Sequence, residues 1–370
     1  MSRHYIIPVF VPHFGCPHDC VFCNQKKITG LSTNITSDIV ESTVREYLGY
    51  FKKDDAFIEV AFYGGSFTAI DIDTQSRLLE VPYKYKKRGI IDEIRLSTRP
   101  DAINDKILSN LKKYGVDTIE LGVQSLDEIV LLESERGHTS DDVYDSCKLI
   151  TEYGFKLGLQ MMLGLPKDDI YKSLSTCMEF IKLKPDVVRI YPTLVIKDTF
   201  LENQYREGVY KPLELEDAVD ISTLILMLFY INDINVIRVG LQPTENIQLG
   251  KDVVAGPFHA AFRQLVEANI YKQLLDFYLC SIFEKRDNEE LIIEANKRLI
   301  SLLSGQKSSN IKHWTNKHQL KRIKLYSKDI DPNQIIITMG KFSDIINIKS
   351  LMEKFIQTNP LIKNMEGFQL

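Results

Sequence analysis

The sequence predicts an α/β protein: a partial (β/α)6 barrel of the TIM type, then a mainly helical extension, then a small α+β module. Three observations carry this. Short apolar runs alternate with segments of helical period up to about residue 200, the signature of parallel βα units. Each run ends in a cluster of Gly, Pro, Ser or Thr. Beyond about residue 288 the order changes to strand, helix, helix, strand, strand, helix.

Strands are expected at 5–11, 57–63, 92–97, 118–123, 155–162 and 186–191. Helical patterns fall at about 34–51, 72–88, 101–114, 126–153 (in two pieces broken near Gly137) and 169–184. In such arrays the loops after the strand C-termini build the active site, which directs attention to 12–30, 63–68, 97–101, 123–125, 161–166 and 191–195. From 201 to 285 a helical stretch with one short strand near Val236–Val239 is expected to extend the barrel. The final module, 286–370, reads as strand 290–293, helix 297–303, loop 305–308, helix 310–317, strands 320–326 and 334–339, and helix 343–356. The expected domains are therefore 1–200, 201–285 and 286–370.

The 370 residues are 44 % apolar and 26 % charged, ordinary values for a folded globular chain. The longest apolar run, Leu224 to Ile231, is far too short to span a bilayer, and Pro8 interrupts the N-terminus where a signal peptide needs an apolar stretch. A cytoplasmic protein with no membrane partner is expected. Six cysteines are too sparse for a disulfide scaffold, and three of them fall within eight residues.

Those three are Cys16-Pro-His-Asp-Cys20-Val-Phe-Cys23, directly after the first strand. Thiolates are soft ligands that hold iron–sulfur clusters, and three of them leave one iron of a cubane open to chelate a small molecule. Two other readings are a zinc site completed by His13 or His18, and three coincidental thiols; structural zinc favours paired C-x2-C units, and no second pair exists. Cys147, Cys177 and Cys280 are spread through helical segments and read as core residues.

The C-x3-C-x-aromatic-C pattern, with Phe22 in the aromatic slot, resembles the hallmark of radical S-adenosylmethionine (SAM) enzymes. Tyr63-Gly64-Gly65-Ser66 resembles the family's glycine-rich motif, whose bare backbone contacts the SAM amine. Ser97-Thr-Arg-Pro-Asp101, Glu120-Leu-Gly-Val-Gln-Ser125, Glu135-Arg-Gly-His-Thr139, Met161-Met-Leu-Gly-Leu-Pro166, Arg189-Ile-Tyr-Pro-Thr-Leu-Val-Ile196 and Gly208-Val-Tyr210 are similar to the radical SAM half of Elongator subunit 3 proteins, over roughly residues 3 to 245. The resemblance implies a [4Fe-4S] cluster on Cys16, Cys20 and Cys23, and SAM as the second cofactor. It implies SAM contacts from Gln124 to the ribose and Arg136 to the carboxylate, with Phe22, Thr98 and Met161 at the same strand ends. Thr98 stands where relatives often place a carboxylate. A low-potential electron donor such as ferredoxin or flavodoxin is the implied partner. Tyr63, Gln160, Met161 and Tyr191 sit where side chains line a barrel, and no catalytic residue is assigned among them.

Residues after 250 show no resemblance to the acetyltransferase half of the Elongator proteins. The final module instead resembles a KH RNA-binding module, with Gly305-Gln306-Lys307-Ser308 in place of the G-x-x-G loop that clamps a nucleic-acid backbone. From Lys297 to Lys328 there are nine Lys or Arg, Lys312 among them, and no Asp or Glu, although the whole chain is at −4. This reads as a phosphate-binding face on which Trp314 stacks a base, or as a solvated basic face with Trp314 in the core. The expected function is a radical SAM enzyme modifying RNA, such as a tRNA base at the wobble uridine. The alternatives are a radical SAM enzyme acting on a small metabolite, as coproporphyrinogen oxidases do, and a non-catalytic iron–sulfur RNA-binding protein.

Overall fold

The structure, a computed structural model, describes residues 3–11, 18–24, 35–51, 56–244, 247–282 and 289–365. Two compact units emerge: residues 1–213 with 241–258, and residues 214–240 with 259–370.

The first unit repeats one βα motif. Its strands are β1 (Arg3–Val11), β2 (Ala56–Gly64), β3 (Glu93–Thr98), β4 (Thr118–Gln124), β5 (Lys156–Leu163) and β6 (Val187–Pro192). They lie side by side in sequence order, and every neighbouring pair is parallel. Between them run α1 (Ser37–Tyr50), α2 (Ile72–Lys87), α3 (Asp105–Lys113), α4 (Glu128–Glu133), α5 (Ser140–Glu152) and α6 (Ile170–Leu183). Local chemistry starts each of these helices: Thr36, Asp71, Asn104, Asp127, Thr139 and Asp169 each accept a backbone N–H of the first turn. The result is the expected partial TIM-type half-barrel.

Strand alternation separates two faces. Ile7, Val9 and Val11 on β1, and Leu157, Leu159, Met161 and Leu163 on β5, are buried toward the helices. The opposite, concave face is polar. Glu59, Arg95, Glu120 and Arg189, one from each of four strands, form a chain of ion pairs there. Gly158 makes the chain possible, because a Cβ at that position would meet Glu120 Cγ at 2.6 Å. After β6 come the two-residue β7 (Val195–Ile196) and α7 (Phe200–Arg206), and β7 pairs with β9 (Val253–Ala255).

The second compact unit takes in part of the stretch expected at 201–285. The helices α8 (Leu215–Ile231) and α9 (Phe262–Ile282) fall in the same compact unit as the C-terminal sheet, as does β8 (Asn235–Val239), which is a strand of the seven-stranded barrel sheet and not of the C-terminal one. They pack together, and Asn269 of α9 bonds Thr223 and Asp220 of α8. The sheet has the order β11-β10-β12-β13, from β10 (Glu290–Ala295), β11 (Arg322–Ser327), β12 (Gln334–Met339) and β13 (Phe342–Asn347). Helices α10 (Ile300–Ser304) and α11 (Ser309–Lys317) connect β10 to the parallel β11, and α12 (Ile348–Thr358) and α13 (Pro360–Lys363) close the chain. Strand β13 was expected to be helix. It pairs back on β12 across the two-residue turn Gly340-Lys341, with Gly340 at φ 56°, so the order is β-α-α-β-β-β-α and departs from the KH-like expectation. Among the described residues no helix is long and apolar enough to cross a membrane.

One buried carboxylate ties α9 to α11. Asp276 accepts from His313 at 2.6 Å, His318 at 2.8 Å and Lys317 at 3.0 Å, and these bonds hold its carboxyl below the usual carboxylate range. Its charged form is therefore favoured in the folded state, and that stability is present above the unfolded value and lost as pH falls through the folded one. Asp276→Asn is expected to cost about 2 kcal/mol at neutral pH. The gap to the wild type should close below the ordinary Asp value of 3.8. Denaturant titrations followed by the fluorescence of Trp314, the single tryptophan, measure both effects.

Candidate functional site

The C-terminal ends of the six parallel strands bring most of the sequence-selected residues of the first unit together. Cys16 and His13 lie outside the described residues. Cys20 is buried and Cys23 half-buried, on a turn in which the Cys23 N–H donates to Cys20 O. Val21 and Phe22 pack with Val195, Leu201 and Tyr210, so the aromatic slot of the cysteine motif is a hydrophobic anchor for the loop.

The segment 134–138 holds the loop from the other side. Val21 N–H donates to Ser134 O, and Arg136 Nη1 donates to Cys20 Sγ at 3.1 Å. Arg136 also donates to Gly122 O and accepts, through its backbone carbonyl, from Arg99. Arg99 in turn reaches Cys20 Sγ at 3.9 Å and is fixed by Asp101. Two guanidiniums thus converge on one thiol. Gly137, at φ +71°, sits so close to His18 that a Cβ there would meet the imidazole at 2.5 Å. His138 is buried beside these cations; burial first, then Arg136 and Arg99, lower its pKa to about 3, so it is a neutral imidazole.

The glycine-rich turn follows β2. Gly64 takes φ 104°, a conformation that only glycine enters freely, and Gly65 N–H donates to Val11 O. Ser66 is buried, with its hydroxyl on Thr98 Oγ1 at 2.8 Å and accepting from Arg99 N–H. Thr98 also meets Thr68 Oγ1 at 2.5 Å. Ser66 and Thr98 therefore brace strand ends. Gln124 ends β4 in the left-handed region, φ 72°, where the register with β5 slips between Gly122 and Gln124. Such a conformation is uncommon for a residue with a Cβ and turns the carboxamide onto the concave face, where it accepts from Gln160 at 3.1 Å. Met161 is corrected: its side chain is fully buried on the helix side, and Gln160 and Met162 hold the concave positions.

The donor set fits the expected cofactors. Cys20 and Cys23 present soft sulfur ligands at a strand end. Arg136 is buried with Nε lacking a hydrogen-bond partner among the described residues, an orphaned cationic donor that a carboxylate satisfies. Cys147 and Cys177 are buried, with the Cys147 thiol pushed up to about 12 by burial, whereas Cys280 is exposed rather than a core residue.

In the second unit, the Gly305–Ser308 loop projects with Gln306 and Lys307 exposed, and Lys307 and Ser308 both in left-handed backbone. Gly305 is required there, since a Cβ would meet Ser309 Oγ at 2.5 Å. Lys312 is exposed one turn into α11. Trp314 is corrected: it is fully buried, its indole N–H donates to Lys272 O, and it has no face on which to stack a base. The basic run is also partly neutralised, because Lys317 pairs with Asp276, Arg322 and Lys324 with Glu290, and Lys328 with Glu294. Unpaired among the described residues are Lys297, Arg298, Lys307, Lys312 and Lys321.

Sequence reasoning missed Arg99, Gly137 and His138, although all three stand inside strings it singled out. It also missed the Glu59, Arg95, Glu120 and Arg189 chain, whose signal was a charged residue at alternate positions inside otherwise apolar strands.

Gly137→Ala is expected to cost more than about 1 kcal/mol, the left-handed penalty alone, with the His18 clash adding to it. Gly49→Ala, in α1 with nothing within 4 Å of the added Cβ, should instead stabilise by about 0.5–1 kcal/mol. Urea denaturation of the two variants beside the wild type checks the opposite signs.

With the geometry in place, comparison with known proteins is specific. Residues 10–176 match the model of the Radical SAM superfamily, and residues 185–272 that of the Radical_SAM C-terminal domain. The chain is 27 % identical over 255 residues to the tRNA uridine(34) acetyltransferase of Methanocaldococcus jannaschii, covering 58 % of this chain and 47 % of the relative. It is 35 % identical over 150 residues to human Elongator complex protein 3, covering 39 % of this chain and 27 % of the relative. The chain spans about half the length of the first of these or less. Among solved structures, the archaeal Methanocaldococcus infernus Elp3 lacking residues 1–46 shares the fold with a TM-score of 0.58 at 20 % identity, over 95 % of this chain and 76 % of that one.

Proposed function

The chain belongs to the radical SAM superfamily, and from that premise we propose that it modifies a base of RNA, with the wobble uridine of tRNA as its target. The observation that carries this is the 255-residue similarity to a protein named for acetylating uridine 34 of tRNA. Because the chain spans about half of that relative, the proposal covers the radical step on the base and leaves out acetyl transfer.

The superfamily's [4Fe-4S] cluster and SAM, when bound, supply reductive carbon–sulfur cleavage and a 5'-deoxyadenosyl radical that abstracts hydrogen. The chain's own residues do the rest. Cys16, Cys20 and Cys23 are the cluster ligands in this reading, and Arg136 and Arg99 bring positive charge to the Cys20 sulfur. Arg136 Nε takes the SAM carboxylate, the Gly64 and Gly65 backbone takes the amine, and Gln124 takes the ribose. Burial of this surround excludes water from the reacting atoms. On the second unit, the Gly305–Ser308 loop with Lys307 and Lys312 is the phosphate-contacting surface, and the ion pairs at Asp276, Glu290 and Glu294 narrow it to the five unpaired cations.

Anaerobic reconstitution of the full chain should give about four irons per chain and SAM-dependent release of 5'-deoxyadenosine. Cys20→Ala or Cys23→Ala should abolish both, and full iron content in either variant refutes the ligand set. Mass spectrometry of host tRNA nucleosides, with and without the gene, tests the substrate; an unchanged profile moves the reading to a small metabolite. For RNA binding, Lys307→Ala and Lys312→Ala should each lower the slope of log affinity against log salt by about 0.7–0.9. Unaltered slopes place the phosphate contacts elsewhere.

A further inference from the structure

Tyr63 on β2 and Tyr191 on β6 face the same guanidinium across the concave side of the sheet. Arg189 Nη2 donates to the Tyr63 oxygen at 3.2 Å and Nη1 donates to the Tyr191 oxygen at 3.4 Å. The guanidinium carbon also lies 5.3 Å from the centroid of the Tyr63 ring. Arg189 is fixed in turn by both carboxylate oxygens of Glu120, at 2.6 Å and 3.1 Å.

A phenol oxygen that accepts from a fixed cation retains its own O–H to donate. Among the described residues no acceptor takes either of these protons. Both tyrosines are half-buried. Beside them Gln160 spends one N–H on Gln124 and keeps its carbonyl oxygen and second N–H. Phe10, opposite Tyr63 in register, adds an exposed ring 6.4 Å from that of Tyr63. The two arginines of the ion-pair chain are consumed: Arg95 by Glu59 and Glu120, Arg189 by Glu120. Among the described residues, neither of these two arginines is therefore left over for an anionic ligand. The complement of two aimed O–H donors, a carboxamide edge and aromatic surface is a neutral planar ring bearing carbonyl oxygens.

We propose that Tyr63 and Tyr191, aligned by Arg189, hold the ring carbonyl oxygens of a pyrimidine-dione base on the concave face of the half-barrel. This rests on the reading that an RNA base is the substrate, and it adds which atoms of the base are read. The phenol of Tyr63 serves this role while its backbone belongs to the glycine-rich turn. Tyr63 and Tyr191 touch the base; Arg189 is a positioning residue.

The test is equilibrium dialysis with the anaerobically reconstituted full chain, using three probes: uridine, the pyrimidine riboside that lacks the C4 carbonyl, and an anticodon stem–loop RNA with uridine at the wobble position. The wild type should bind uridine about tenfold or more tightly than the analogue, and equal affinities overturn the proposal without any variant. Tyr63→Phe and Tyr191→Phe should each weaken uridine by about threefold to tenfold, and the one of the two that faces the C4 carbonyl should move the analogue less. Arg189→Lys keeps the charge against Glu120 but cannot point along both phenols, so the uridine-to-analogue ratio should fall in it as well. That ratio is measured within one preparation, so loss of folded protein does not imitate the effect. Wild-type binding of the stem–loop with unchanged ratios in all three variants overturns the proposal and leaves the RNA reading standing. Uridine binding with the expected ratios but no stem–loop binding does the reverse.

Discussion

Glu120 is the pivot of the first unit. Its two carboxylate oxygens hold Arg95 and Arg189, and Arg95 continues to Glu59. Charges this deep are costly unless every partner is present, because removing one leaves the others desolvated and unmatched. The constraint propagates in both directions along the sheet. Gly158 must lack a side chain for Glu120 to fit, and Arg189 must lie where it does for two tyrosines to share it. A face that could have been apolar packing is instead a fixed polar floor, against which the strand-end loops are arranged.

Above that floor the division of labour follows from geometry. Residues that the motifs suggested as ligand contacts split into those left with an unsatisfied group among the described residues and those that hold the strand ends together. Ser66 and Thr98 satisfy one another, while Arg136 keeps an unspent nitrogen. The hydroxyls rigidify the turn so that the bare glycine backbone is presented in one conformation, and preorganisation of this kind is what a radical site needs to confine its reaction.

The barrel was legible in the sequence because each strand is short, apolar and closed by a turn cluster, and each helix carries its own N-cap. The observed strand bounds differ from the expected ones by a residue or two. The cysteine spacing was legible for the same reason, since a local motif needs no tertiary information. What was not legible depends on side chains meeting across long separations. Trp314 reads as a stacking platform from composition alone, and only its burial under α9 shows that it is core. The run Lys297–Lys328 reads as bare positive charge, but its compensating carboxylates, Asp276, Glu290 and Glu294, lie upstream of it in sequence. Strand β13 was hidden because Asp344 and Asn347 break the apolar alternation, and its pairing partner supplies the missing signal.

The clamp on the cysteine loop also bears on the order of events during synthesis. The cysteines leave the ribosome well before the groups that fix their loop: Ser134 accepts from the Val21 amide, and the Leu201 amide donates to the Val21 carbonyl. At translation rates of about 5–20 residues per second, the roughly 180 positions between Val21 and Leu201 correspond to some ten to forty seconds. Throughout that interval the thiols are present without the backbone that positions them. The contacts that fix the loop are therefore complete only once residue 201 has been made.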